Sequence, residues 1–332
     1  MSMTNQLSIV IIGRNEAARI GECVEAARRA ADQIGGAEIL FVDSHSTDDT
    51  VDIVKTLGAR VMALDASLRL APSAGRFWGS KNVNGKYILF LDADTRVDRD
   101  FLPAAIARLE ADDSCAGVNG YIDDLNEAGE KLLYIEERSA EVADVKWLRG
   151  PACLYRREAI MQVGSFNPEL ASEEEAELGL RLVKAGWKLE IIPVFMAVHT
   201  RCYHPHNIES VISTFRRDIR SKRLGETTRT IACSFMAGNG LAFCWLRLKT
   251  TILFVAWGML LCSLSLLPQQ FYPRAAVATA FVAGLLMIYR KKRNLSETLL
   301  FVPSKLFSLV DIGVGIFYAF SHVASHRSKR SA

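Results

Sequence analysis

At 332 residues the chain is long enough for one large α/β domain with an appendage. Its net charge of +3 conceals an asymmetry: residues 1–200 carry 22 Lys/Arg against 32 Asp/Glu, residues 201–249 carry 9 against 3, and residues 250–332 carry 9 against 2. A nucleic-acid-binding protein would spread basic residues over its folded body, whereas an acidic body with a basic, apolar tail fits anionic lipid beside the tail.

The elements follow in chain order. Residues 7–12 form a run, β-branched from Ile9 onward, that reads as a buried strand; no basic segment precedes it, which argues against a signal peptide. Gly13 follows, then a helical pattern over 16–31, a break at Gly35-Gly36 and a second buried strand over 39–42. Thr47 is expected to cap a helix over 49–57, with Gly58 past its end. A strand over 60–63, a helix over 73–82 and a strongly apolar strand over 87–91 come next. Then follow a helix over 101–111, strands over 115–122 and 152–155, and a helix over 157–163. Ser172 is expected to cap a helix over 173–185, and 189–192 and 195–198 read as two closing strands. Short apolar strands alternating with helices predict a doubly wound, mostly parallel sheet, whose ligands bind beyond the carboxyl ends of the strands.

The tail reads differently. Ile208, Val211, Ile212, Phe215 and Ile219 fall on one helical face among five basic residues, a pattern that fits a membrane surface; a solvated helix packed on the domain is the alternative. Residues 250–267 and 275–289 are uncharged and apolar, with basic residues outside the pair, as in a hairpin whose two ends face the cytoplasm. Residues 299–323 contain Lys305, Asp311 and Pro303, and read as an interfacial helix before a basic end. The expected organisation is therefore a catalytic domain over 1–204, a basic amphipathic region over 205–249, a transmembrane hairpin over 250–290, and an interfacial helix with a basic tail over 291–332. The seven cysteines (Cys23, Cys115, Cys153, Cys202, Cys233, Cys244 and Cys262) show no paired spacing, which fits reduced thiols in a cytoplasmic setting.

Asp92-Ala93-Asp94 follows the apolar strand over 87–91, so two carboxylates sit at the ligand-binding edge. Hard oxygen donors there suit Mg²⁺ or Mn²⁺ bridging a diphosphate, whose charge a metal neutralises without proton transfer. Downstream, an acidic run at the start of the helix over 173–185 offers carboxylates that could accept a proton from a hydroxyl.

Five strings lie in order at element ends: IIGRNE (11–16), VDSHSTDDT (42–50), SAGRFWG (73–79), ILFLDADT (88–95) and SEEEAELGLRL (172–182). Together they resemble the family 2 glycosyltransferases of GT-A fold, over about residues 7–200. The resemblance implies an inverting transfer of a sugar from a nucleoside diphosphate sugar to a hydroxyl of a lipid-linked or envelope glycan, assisted by a divalent metal. It implies Asp94 as metal ligand, Asp92 toward ribose or metal, and His199 on metal or phosphate. It further implies Asp43 on the nucleobase, Gly13, Asn15 and Glu16 toward base or ribose, and Arg76 on nucleotide oxygens. Asp43 has an alternative reading as a cap of the following helix. Aligning LGLRL makes Glu174-Glu175 the acidic pair of the family, with Glu175 as base where the family has Asp. Phe77 departs from the family's Asn. Two other readings are transfer to a polyprenyl phosphate, which needs no base, and a non-catalytic nucleotide-binding membrane scaffold.

Overall fold

The computed structural model describes residues 6–126, 128–131, 140–200 and 226–266, with positions 284, 305, 309, 310 and 312 beyond. It divides into two units, Met1–Tyr203 and His204–Ala332.

In the first unit the strands are β1 (Leu7–Gly13), β2 (Glu38–Asp43), β3 (Arg60–Ala63), β4 (Tyr87–Asp92), β5 (Thr95–Val97), β6 (Cys115–Leu125), β7 (Ala143–Val145), β8 (Ala152–Arg156) and β9 (Lys188–Thr200). They form one mixed sheet in the order β3-β2-β1-β4-β8-β6-β9-β5, with β7 on β9. The β3-β2-β1-β4 half is parallel throughout, while β8 runs antiparallel to both β4 and β6. β1 is buried along nearly its whole length because both sheet faces are covered. Ile9 and Ile11 face one core with Phe41, Leu89 and Leu91. Val10 and Ile12 face the other with Val42, Ile88 and Phe90. That alternation is the period of a strand, and it explains why an unbroken apolar run here is not a helix.

The helices are α1 (Ile20–Asp32), α2 (Thr50–Thr56), α3 (Pro72–Lys81), α4 (Phe101–Ala111), α5 (Arg157–Gln162) and α6 (Glu174–Lys184). Four details depart from the sequence reading. α1 begins at Ile20 rather than at 16, since Asn15 takes a left-handed conformation (φ 58) and the next residues form a turn. Asp48, not Thr47, bonds the start of α2: its Oδ1 accepts from the Thr50 amide at 3.1 Å. Glu173, at φ 61, stands at the N-cap position of α6, so that helix begins at Glu174 rather than at 173. The two closing strands are one, β9, whose pairing with β6 carries register shifts near Tyr121. Bulges of this kind let one strand stay paired while its direction bends.

In the second unit, helix Glu226–Met236 precedes helices Gly240–Phe243 and Lys249–Leu266, joined by a π-helical turn Cys244–Leu248. Among the described residues one stretch, Gly240–Met259, is long and apolar enough to cross a membrane, with mean hydropathy 1.3. It starts well ahead of residue 250, where the hairpin was expected to begin. The expected amphipathic helix over 207–223, the second hairpin limb and nearly all of 291–332 lie outside the described residues.

Candidate active site

Gly13, Asp43 and Asp92 stand at the carboxyl ends of three adjacent parallel strands: Gly13 pairs with Asp43, and Ile12 with Asp92. The Ala93 amide donates to the Ile12 carbonyl at 2.9 Å. A Cβ on Gly13 would sit 2.6 Å from the Ala93 Cβ, so glycine permits the β1 end to approach the Asp92-Ala93-Asp94 turn. The loops after β1 and β2 are bonded to each other. The Asn15 amide donates to Ser46 Oγ at 2.9 Å, Asn15 Oδ1 accepts from the Thr47 amide at 2.8 Å, and the Glu16 amide donates to Thr50 Oγ1 at 2.8 Å. Asp43, buried, accepts from the Ser46 amide at 3.1 Å, a bond of the capping kind. Burial, and next the charge of Asp94, raises the Glu16 carboxyl above its ordinary pKa.

Asp92, Asp94 and His199 converge, each with a ligand atom within 4.8 Å of the others. The sheet brings them together. Thr95 in β5 pairs with His199 in β9, and the Thr200 amide donates to the Asp94 carbonyl at 3.0 Å. His199 Nε2 lies 3.4 Å from Asp94 Oδ1, a buried oxygen with no hydrogen-bond partner. Burial depresses the His199 pKa, but the hydrogen bond to Asp124 and the nearby Asp94 and Asp92 carboxylates outweigh it and raise the ring to about 9. An orphaned carboxylate oxygen beside a second carboxylate and an imidazole is a donor set that fits a divalent cation.

Behind this cluster lies Arg76 of α3, only 2% exposed. Its Nη2 donates to Asp92 Oδ1 at 2.8 Å and to the Gly150 carbonyl at 3.0 Å, and its Nη1 donates to Glu174 Oε1 at 2.7 Å. Glu175 Oε1 is 3.3 Å from the same Nη1. Burial alone would lower the guanidinium pKa; Asp92, Glu175 and Glu174 hold it above its ordinary value. Arg76 therefore binds carboxylates of the protein rather than presenting itself at the surface. Of the acidic run, Glu177 forms a two-bond pair with Arg181, at 2.8 and 2.7 Å, that braces α6. Glu174 is 6% exposed and Glu175 17%. Burial, and then the neighbouring Glu174 charge, pushes the Glu175 pKa up to about 8 against the opposing pull of Arg76.

The profile of glycosyl transferase family group 2 matches residues 87–289, more than half of the chain, and that of glycosyl transferase family 2 matches residues 8–164. The chain is a family 2 glycosyltransferase. Among curated proteins it is 26% identical over 238 residues to a Methanococcus voltae dolichyl N-acetyl-α-D-glucosaminyl phosphate 3-β-D-2,3-diacetamido-2,3-dideoxy-β-D-glucuronosyltransferase, covering 63% of this chain and 71% of that protein. Two of the similar solved structures illustrate the fold. A mannosyltransferase of Pyrobaculum calidifontis, in complex with GDP-Man and Mn²⁺, superposes with TM-score 0.61 at 14% identity over 95% of this chain and 88% of that one. S. aureus TarS 1–349, in complex with UDP-GlcNAc, gives TM-score 0.52 at 18% identity over 60% of each chain. At such identities the likeness is one of fold, and the fold is GT-A-like.

Relative to the sequence reading, this glycosyltransferase brings Asp92, Asp94, His199, Arg76, Glu174 and Glu175 into one connected cluster, with Gly13, Asn15, Glu16 and Asp43 along the adjoining strand ends. Three residues of the cluster were not anticipated. Gly150 lies against Glu175, and Asp124 and Arg149 lie behind His199. The doublet Asp123-Asp124, at the end of an otherwise apolar and glycine-containing strand, was the available signal for the second of these.

Proposed function

We propose that this glycosyltransferase inverts the anomeric centre as it moves a sugar from a nucleoside diphosphate sugar to a hydroxyl, with Glu175 as base and Asp94, Asp92 and His199 as ligands of a divalent metal, Mg²⁺ or Mn²⁺. One observation carries the reading: a single buried guanidinium, Arg76, touches Asp92 at 2.8 Å and Glu175 at 3.3 Å, so candidate base and candidate metal ligand share one support. The acceptor hydroxyl gives its proton to Glu175 and its oxygen attacks the anomeric carbon. The bond to the diphosphate oxygen breaks, and the electron pair leaves with the diphosphate. A bound cation supplies charge neutralisation for that leaving group. Glu175 is favoured over Glu174 because Glu174 holds the shorter bond to Arg76 and is less exposed. The ligands named for the mannosyltransferase and for TarS support a nucleotide-sugar donor.

The test is a panel of nucleotide sugars read by nucleotide release, with and without chelator. Asp94→Ala and excess chelator are each expected to abolish release; full turnover in chelator would remove the metal from the reading.

Gly150 supplies a second test. A Cβ there would fall 1.9 Å from Glu175 Oε1, and that atom is the mobile end of a side chain, so the fold absorbs the change by displacing the carboxylate. Gly150→Ala is expected to lower kcat by about 10²-fold, the cost of misplacing a reacting group by roughly 1 Å, with thermal stability near wild type. An unchanged kcat would count against Glu175 as base.

A lipid-linked acceptor and membrane attachment complete the proposal, with the catalytic domain facing the cytoplasm. Support comes from the stretch Gly240–Met259, where Leu241, Trp245, Leu253 and Met259 are each more than half exposed. The dolichyl-linked substrate in the name of the Methanococcus relative points the same way. Full-length protein is expected to stay with membranes in alkaline carbonate, and release by carbonate would overturn the attachment.

A further inference from the structure

His199 has a second nitrogen, and its partner is built with care. Nδ1 lies 2.8 Å from Oδ1 of Asp124, which stands opposite His199 in the β6–β9 register. A carboxylate only accepts, so Nδ1 carries the hydrogen of this bond. The other oxygen of Asp124, Oδ2, accepts from Arg149 Nη2 at 2.9 Å, and Arg149 Nη1 donates to the Ile122 carbonyl at 3.2 Å. The Arg149 carbonyl in turn accepts from Asn119 at 3.3 Å. Asp124 and His199 are 4% and 6% exposed, so water does not substitute for either bond.

We propose that Asp124, oriented by Arg149, is the positioning residue of the site: it holds the imidazole so that Nε2 faces Asp94. The inference rests on the reading of His199 as a metal ligand. Physically, a hydrogen bond from Nδ1–H to a carboxylate fixes both ring rotation and tautomer, and it enriches Nε2 as an electron-pair donor. Without it the ring is free to rotate, and Nε2 leaves the buried, unbonded Asp94 Oδ1. Asp124 touches neither substrate nor cation in this arrangement; it acts through His199.

The experiment is a titration of full-length protein in detergent with Mn²⁺ alone, following free Mn²⁺ by electron paramagnetic resonance. Asp124→Ala is expected to weaken Mn²⁺ binding by about 10–100-fold, the usual effect of losing such a partner. Asp124→Asn should recover little of that loss, since its one oxygen cannot accept from both Nδ1 and Arg149, and its amide turned to Nδ1 favours the tautomer with the hydrogen on Nε2. In a His199→Ala background, Asp124→Ala should cost nothing further, a non-additivity that general damage to the fold would not produce. Should Asp124→Ala fail to fold, Asp124→Ser carries the same comparison, since its hydroxyl is too short to reach Nδ1. If His199→Ala leaves Mn²⁺ affinity unchanged, the metal-ligand reading falls and this inference with it. If His199→Ala weakens binding but Asp124→Ala does not, or if Asp124→Ala costs as much in both backgrounds, only the positioning role is overturned.

Discussion

Glu175→Gln is expected to lower kcat by about 10²–10⁴ while donor binding persists, because the substitution keeps the shape of the side chain and removes its basicity. The alternative assignments within the acidic run separate cleanly. Glu177 is paired with Arg181 and Glu174 with Arg76, so Glu177→Gln should act on stability and Glu174→Gln on the placement of Arg76. If either of those reproduces the kinetic signature instead, the base has been misassigned. A small effect from all three would favour an acceptor already ionised, such as a polyprenyl phosphate, which needs no base. The pH profile gives a second readout. With its pKa pushed up to about 8 by burial and by Glu174, Glu175 holds its proton at neutral pH in the free protein. A base acts only when deprotonated, so kcat/KM should rise with pH through about 8 and fall away below it. A profile flat from pH 6 to 9 would contradict the assignment.

Arg76→Met is expected to destabilise the first unit by about 3–5 kcal/mol, the range for removing one partner of a buried ion pair. The guanidinium is 2% exposed and faces Asp92, Glu174 and Glu175, so its loss leaves acidic groups facing one another with no cation between them. Lysine is not a substitute, since one ammonium cannot bridge carboxylates on two sides as a planar fork does. Chemical denaturation followed by tryptophan fluorescence would measure the loss, and turnover should fall with it because Asp92 and Glu175 lose their common support. The sequence-based expectation was different: Arg76 gripping nucleotide oxygens. That role predicts a raised donor KM with stability near wild type, and such a result would support it.

Much of this enzyme was readable along the chain. A β-branched run such as Ile9–Ile12 has only one compact solution when both of its faces are covered, so β1, β2 and β4 could be drawn nearly to their ends. Asp92 and Asp94 were legible for the same reason, since polar residues directly after a buried parallel strand lie at the ligand-binding edge wherever the rest of the chain goes. Local signals were weaker at helix starts. Thr47 has the right chemistry for a cap, yet with His45 nearby in a left-handed conformation it is Asp48 that meets the Thr50 amide.

What tertiary structure alone decided is which charged groups meet. Arg76 and Glu174 are 98 residues apart, and Asp124 and His199 are 75 apart. No periodicity in the chain encodes such separations, because the pairing depends on strand order, with antiparallel β8 set between β4 and β6 and the long β9 returning beside both β6 and β5. Gly150 shows the same dependence: its lack of a side chain has meaning only once the Glu175 carboxylate lies against it. The sequence by itself determined the buried strands and the acidic strand end, which follow from local burial patterns, and its five strings carried the resemblance to the family. The pairing of the candidate base with the Asp92-Asp94-His199 cluster through one arginine is a product of long-range packing, where the cost of burying each charge selects its partner.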